Sequence, residues 1–192
     1  MVRWEADGRE RLAKAALELY SKQGFDETTV AEIAQSAGLT ERTFFRHFAD
    51  KREALFGGQD QFVQGFIDGV ALAPHSASPF DVAATAVLVG SKPFTAERRP
   101  HSLQRQKILN AHSELREREL LKLAGLAHAL ASALIARDVG EPAASLAAES
   151  GVVVFRVSWD QWLAEGNTRS LVDLERDAFA ELGTLVMVSR KP

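Results

Sequence analysis

Apolar residues recur every three or four positions along most of this chain and almost never every second, a spacing that belongs to helices with one buried face. Over residues 9–23 the inward set is Leu12, Ala15, Ala16 and Leu19, and Gly24 supplies the residue that commonly ends a helix. Thr29-x-x-Glu32 has the form of a capping box and opens a short helix over 30–36, with Val30, Ile33, Ala34 and Ala37 inward and a break at Ala37-Gly38. Thr40 caps a third, short helix. Leu39 before that cap and Phe44 at its fourth position have the spacing of a hydrophobic staple, which fixes the angle of entry. Asp50-x-x-Glu53 marks the next start, and Leu55, Phe62, Val63, Phe66, Ile67 and Val70 stripe a fourth helix to about residue 72. Within it, Gly57-Gly58 suggest a bend, and Gly65 and Gly69 close packing.

Past a linker at 73–78, Ser78-Pro79 read as a cap and first turn of a helix reaching Gly90, and 91–100 read as loop. A weakly patterned helix follows over roughly 101–111. Ser113 opens a long one carrying Leu115, Leu123, Leu126, Leu130 and Leu134, stopped near Asp138-Gly140. Pro142 begins another that runs to Ala164; Gly166 stops it, Thr168 is the expected next cap, and Leu171, Leu174, Ala178, Leu182 and Leu185 stripe the last helix. Val152–Val157 taken alone resemble a strand, but their place in a span with few breakers favours a buried helix segment. With 30 Ala and only six Pro, five of them between or at the edges of periodic segments, the chain reads as all-α.

Composition then removes whole classes of chemistry. The chain has 192 residues, 46% hydrophobic and 26% charged, enough for a sizeable core. Cysteine is absent, so disulfides, thiolate nucleophiles and thiolate metal sites are excluded. No apolar run approaches the roughly 18 residues of a membrane span, and the charged start lacks an apolar core of the secretory kind, so a cytoplasmic protein without a membrane partner is expected. Walker, G-x-G-x-x-G, G-x-S-x-G and H-E-x-x-H motifs are missing, and the five His residues have no metal-ligand spacing. Neither an enzyme nor a cofactor or metal site is expected. Net charge is -3, yet residues 1–52 balance at nine basic and nine acidic side chains. Within 40–52, Arg42, Arg46, Lys51 and Arg52 outnumber Glu41 and Asp50, which is where a polyanion would dock.

A capped helix, a glycine turn and a second capped helix make a helix-turn-helix, in which the second helix enters the major groove. At about 100° per residue, Phe44 and Phe48 point towards the first two helices while Arg42 and Arg46, flanked by Thr43 and Phe45, point away. Such a face is either solvated or a reader, since Arg binds guanine edges bidentately and an apolar ring meets a thymine methyl. The run Thr29-Val30-x-x-Ile33-Ala34-x-x-Ala37-Gly38-Leu39-Thr40-x-x-Thr43-Phe44-Phe45-Arg46-His47-Phe48-x-x-Lys51-x-x-Leu55, with Gly24-Phe25 upstream, closely resembles the DNA-binding domain of TetR-family (tetracycline-repressor-like) transcriptional regulators. The motif covers about residues 9–56.

The resemblance implies about nine helices: a three-helix DNA-binding domain over 1–52 and a helical effector-binding and dimerisation domain over 53–192. It also implies a homodimer on a palindromic double-stranded operator, and a repressor that a small-molecule effector releases. An activator, or a helical small-molecule-binding module without operator binding, are the alternatives. Thr29, Thr40 and Lys51 are the candidate phosphate contacts; Glu41, Arg42, Thr43, Phe45 and Arg46 are candidates for the groove, and His47 for its edge. Arg3 and Arg9 are candidates to brace the DNA backbone. Phe45 stands where family members commonly have Tyr, so that phenolic contact is lost. For the effector, whose identity the sequence does not reveal, the candidate wall is Phe62, Phe66, Leu88, Ile108, His112, Leu126, Phe155 and Trp159, with Arg156 as an inward cation if the helical phase allows. Val153, Val157, Leu174, Ala178, Leu182 and Leu185 are apolar positions open to the dimer bundle or to the core.

Overall fold

The computed structural model describes residues 2–187, with side chains described from Gly8 to Leu185. Among these residues the chain is all-α, with nine α-helices, two short 3-10 turns and no strand. The helices are α1 (Val2–Gln23), α2 (Val30–Ser36), α3 (Glu41–His47), α4 (Gln59–Leu72), α5 (Pro79–Gly90), α6 (Arg99–Ala111), α7 (Ser113–Ile135), α8 (Ala143–Leu163) and α9 (Leu171–Met187). None is long and apolar enough to cross a membrane. Val152–Val157 lie inside α8, with Val152, Val154 and Phe155 buried and Val153 and Val157 exposed.

The chain forms two compact units, Met1–Asp60 with His101–Glu119, and Gln61–Pro100 with Leu120–Pro192. The first therefore extends past residue 52 and recruits a distant stretch of sequence. Its core joins Leu12, Ala16 and Tyr20 of α1 to Ile33 of α2, Phe44 of α3 and Phe48 after it. Ile108, Leu109 and Leu115 belong to the same cluster, and each such side chain stabilises by about 1.5–3 kcal/mol when fully buried. The expected continuous helix over 53–72 is broken: Glu53–Phe56 form a 3-10 turn and α4 begins at Gln59. At Gly57 the space belongs to neighbours, for a Cβ there would lie 2.9 Å from that of Ala13 and 3.3 Å from the Phe48 ring.

In the second unit α5, α8 and α9 pack on one another. Ser78 caps α5 by accepting the Asp81 amide at 3.2 Å, and α9 is capped by Ser170 rather than Thr168, its hydroxyl accepting the Asp173 amide at 3.1 Å. Two arginines close helix ends that would otherwise leave carbonyls bare. Arg137 donates to the carbonyls of Val70, Ala73 and Pro74, and Arg99 to those of Trp162 and Ala164. Gly90 is required by a close approach: a Cβ there would overlap the fully buried Phe66 ring.

Candidate nucleic-acid interface

The turn from α2 into α3 is held by its own backbone. Gly38 adopts φ +64°, a left-handed conformation that costs other residues free energy, and the amides of Gly38 and Leu39 return to the carbonyls of Gln35 and Ala34 at 2.9 and 2.8 Å. Arg11 of α1 donates to the Ala37 carbonyl and pins the same turn from outside. Thr40 then caps α3, accepting the Thr43 amide at 3.2 Å, with the two hydroxyls 3.0 Å apart. A seven-residue helix so anchored has one possible aim. Phe44 is fully buried and packs on Phe48 with ring centroids 5.4 Å apart, which turns the opposite side of α3 outward.

That outer side carries Glu41, Arg42, Phe45 and Arg46, all exposed, with Thr43 half-exposed beside them. Phe45 is 56% exposed although its ring meets Phe44 edge-on. Neither Arg42 nor Arg46 enters a hydrogen bond or ion pair with another described residue, so both guanidiniums present their full donor fork to solvent. Arg46 and His47 occupy the last turn of α3, where the helix dipole favours cations.

The other expected contacts are placed differently. Lys51 donates from Nζ to the carbonyls of Phe25, Asp26 and Thr28 at 2.9, 3.0 and 3.1 Å and sits 4.6 Å from the Phe25 ring centroid. All three of its N–H groups are thus directed into the loop between α1 and α2. Thr29 is exposed, but its amide and hydroxyl are both engaged by the Glu32 carboxylate at 2.8 and 2.9 Å, so an anion already occupies the start of α2. These hydrogen bonds, the amide's first, hold the Glu32 carboxyl below its ordinary range. His47 is half-buried, near Gly8 of α1. Arg9 is turned inward, donating from Nε to the Gly57 carbonyl at 2.7 Å and lying over the Phe48 ring. Arg3 lies outside the residues whose side chains are described.

Several supports of this head escape a sequence reading. The Tyr20 hydroxyl donates to the Lys51 carbonyl at 2.5 Å, and burial, then the nearby Asp50 charge, raise its phenol well above the ordinary value. Burial also pushes the Asp50 carboxyl up, but hydrogen bonds from Arg52 and the Glu53 amide, with the charges of Arg118 and Arg52, outweigh it and hold the group ionised below its usual range. Arg105 donates to the Leu55 carbonyl at 2.9 Å and pairs with Glu119 at 3.1 Å. Apart from the Glu53 amide on Asp50, which the Asp50-x-x-Glu53 start announces, these partners are far apart in sequence or lack a local motif, so no spacing announces them.

Of the eight candidate effector contacts, Phe62, Phe66, Phe155 and Trp159 do assemble in the second unit, with centroid distances of 4.8 Å for Phe62–Phe66, 5.5 Å for Phe66–Phe155 and 5.7 Å for Phe155–Trp159. Phe94 and Trp162 complete the cluster and were not anticipated, because one lies in a loop and the other looks like ordinary helix core. Leu126 is buried and Leu88 half-buried in the same unit. Ile108 and His112 instead belong to the first unit, Ile108 in its apolar core and the His112 ring 5.1 Å from that of Phe25. Arg156 is exposed, on a surface groove of about 180 Å³ between α7 and α8 that contains none of the eight candidates. No group of three metal-ligating side chains occurs among the described residues.

Residues 12–56 match the family model described as bacterial regulatory proteins, tetR family. The HTH-type transcriptional regulator TcmR of Streptomyces glaucescens is 37% identical over 71 residues, which is 37% of this chain but only 31% of that protein. The HTH-type transcriptional repressor KstR2 of Mycobacterium tuberculosis is 33% identical over 60 residues, 31% of this chain and 28% of the repressor. This chain thus matches these two relatives over about a third of their length. Similarity of fold extends much further: a crystal structure of the transcriptional regulator FadR from Bacillus subtilis in complex with stearoyl-CoA superposes with a TM-score of 0.61 at 20% identity, covering 90% of this chain and 96% of the other.

Proposed function

We infer that this chain, whose residues 12–56 match the tetR family of bacterial regulatory proteins, is a transcriptional repressor that a small-molecule effector releases from operator DNA. The observation that carries the reading is the outward face of α3, where Arg42, Phe45 and Arg46 stand exposed on a helix whose other side is locked into the core. Arg42 and Arg46 are one turn apart, about 6 Å along the axis, so the pair spans about two base steps of the major groove. Each guanidinium suits the O6 and N7 edge of a guanine, and the Phe45 ring suits a thymine methyl between them. Phosphate contacts then fall to Thr40, Thr43 and the amides around them, since Lys51 and Arg9 are committed internally.

A homodimer places two such heads on a palindrome with half-sites about 34–36 Å apart. Exposed Leu146, Val153 and Val157 on α8 and Leu185 on α9 are the apolar positions that a second copy would cover; Leu174 is buried and belongs to the protomer's own core. The repressor role follows the likeness to KstR2, and the effector role follows the fold shared with an acyl-CoA-bound regulator. Release is a linkage: a ligand that binds the non-operator conformation better weakens DNA binding by that difference, commonly about 1–3 kcal/mol. Such a protein works in the cytoplasm, where the chromosome is.

The test is selection of bound sites from random duplex DNA, followed by anisotropy titrations of the recovered site. Arg42→Ala and Arg46→Ala are expected each to cost about 1–3 kcal/mol and to relax the preference at one base pair per half-site. Recovery of no palindrome, or unchanged affinity in both variants, overturns the reading.

A further inference from the structure

Glu175 on α9 is fully buried, and only one of its carboxyl oxygens is satisfied: the Ser91 hydroxyl donates to Oε1 at 2.5 Å, while Oε2 is sealed from solvent without a partner. Ser158 on α8 is equally buried, and its Oγ is likewise unpartnered. The two belong together by register. Residues 164–170 join α8 to α9, which pack on each other, so Ser158, five residues before the end of α8, stands level with Glu175, four after the start of α9. Two unmatched oxygens at one level of one helix pair make an unsatisfied site, and native interiors rarely keep such sites without a use.

The surroundings say what the site lacks. Every other charged side chain described on α5, α8 and α9 is exposed, Arg156 and Arg176 included, so none of the three helices supplies a cation to Glu175. Aromatic faces are abundant. Trp159 adjoins Ser158 in sequence, Trp162 follows one turn later with its ring centroid 5.2 Å from that of Trp159, and Phe94, three residues after Ser91, lies 4.9 Å from Trp159. A buried acid, a hydroxyl acceptor and three ring faces match a positively charged nitrogen on an apolar body.

We propose that Glu175 and Ser158 form the polar end of the effector site, and that the effector is an organic ammonium ion carrying an aromatic or aliphatic body. This assignment rests on the reading that the second unit takes the effector. One N–H of the ammonium reaches Oε2, another reaches Ser158 Oγ, and the rings cover the rest. An acyl chain ending in carboxylate or phosphate carries no charge that would favour the ionised form of Glu175. Burial pushes the Glu175 carboxyl up to about 8, against the lowering hydrogen bond from Ser91, so the ligand-free protein holds a proton there at neutral pH. Arrival of the ammonium converts the acid to carboxylate, and that proton leaves to solvent, giving a balanced exchange of one cation for another.

The experiment uses the full chain and a series of ω-phenylalkylamines from benzylamine to phenylhexylamine, each paired with the carboxylic acid and alcohol of equal length. Tryptophan emission and calorimetry at pH 7 in two buffers of different ionisation enthalpy report affinity and proton exchange. The best amine is expected to bind at least tenfold tighter than its acid and alcohol and to release about one proton, a release that fades as the pH rises past 8. Glu175→Gln keeps the acceptor for Ser91 and is expected to abolish both the amine preference and the proton release; Ser158→Ala is expected to weaken the amine while the proton release persists. Failure of the whole amine series to bind, an acid that binds more tightly than its amine, or absence of proton release in the wild type overturns the proposal without recourse to any variant. Glu175-dependent amine binding that leaves the operator complex intact in a gel shift upholds the ammonium site and refutes effector release.

Discussion

Lys51→Met separates a lysine that supports the reading head from one that touches DNA, because the two roles move different measurements. The substitution keeps most of the stem and removes the ammonium, leaving the carbonyls of Phe25, Asp26 and Thr28 without their shared donor. The bonds to Phe25 and Thr28 are partly buried and that to Asp26 is exposed, so two of the three carry most of the stabilisation. At about 1.5 kcal/mol for each partly buried bond to a charged donor, plus about 0.5 kcal/mol for the ammonium over the Phe25 ring, the gross loss is about 3.5 kcal/mol. Freed side-chain entropy offsets about 1.5 kcal/mol, leaving a net loss of about 2 kcal/mol. For a chain of this length that lowers the melting temperature by about 4–8 °C.

A thermal melt followed by circular dichroism checks the stability term, and anisotropy titrations on operator DNA at several salt concentrations check the other. A phosphate-contacting lysine contributes about one unit to the slope of log K against log salt. The geometry of the 25–28 loop predicts a lowered melt and an unaltered slope at temperatures where the variant is folded. An unchanged melting temperature together with a slope shallower by about one would show that the ammonium leaves the loop for the phosphate backbone, and the internal assignment would fail.

Gly38→Ala forces a Cβ into the left-handed conformation at φ +64° and against the Arg11 guanidinium at 3.0 Å; a loss of about 1–2 kcal/mol in urea unfolding is expected. Phe66→Ala empties the centre of the aromatic cluster and is expected to cost about 3–5 kcal/mol, read by the same denaturation. Glu175 makes stability fall with rising pH, because between the ordinary carboxyl value of 4.5 and about 8 the unfolded chain has lost the proton that the folded chain retains. The fall is at most about 5 kcal/mol and levels off above the folded-state value, so Glu175→Gln should flatten urea midpoints measured from pH 5 to 9; an equally steep decline in the variant would place its origin elsewhere.

What the sequence disclosed was local. Thr29 and Glu32 are three residues apart and cap α2 whatever surrounds them, and Gly38 ends that helix by a conformation its own backbone prefers. Phe44 and Phe48 fix the phase of α3 by their spacing, which makes the exposure of Arg42 and Arg46 readable one residue at a time. Nothing comparable locates a partner at a distance. Ile108 and His112 carry the same periodic apolar pattern whether they line an effector site or fill the first unit's core, and Leu174 the same pattern whether it faces a second copy or its own protomer.

The cations show most plainly where the boundary falls. Lys51 and Arg46 are both basic residues in the stretch where positive charge is locally in excess, and pattern alone treats them alike. Their fates differ because a cation at such a position asks only for concentrated negative potential, and a loop that turns three carbonyls towards one point supplies it as well as a phosphate does. The 25–28 loop does this for Lys51. Beyond the last turn of α3 no described carbonyl or carboxylate engages Arg46, so its electrostatic demand is left to whatever enters from outside.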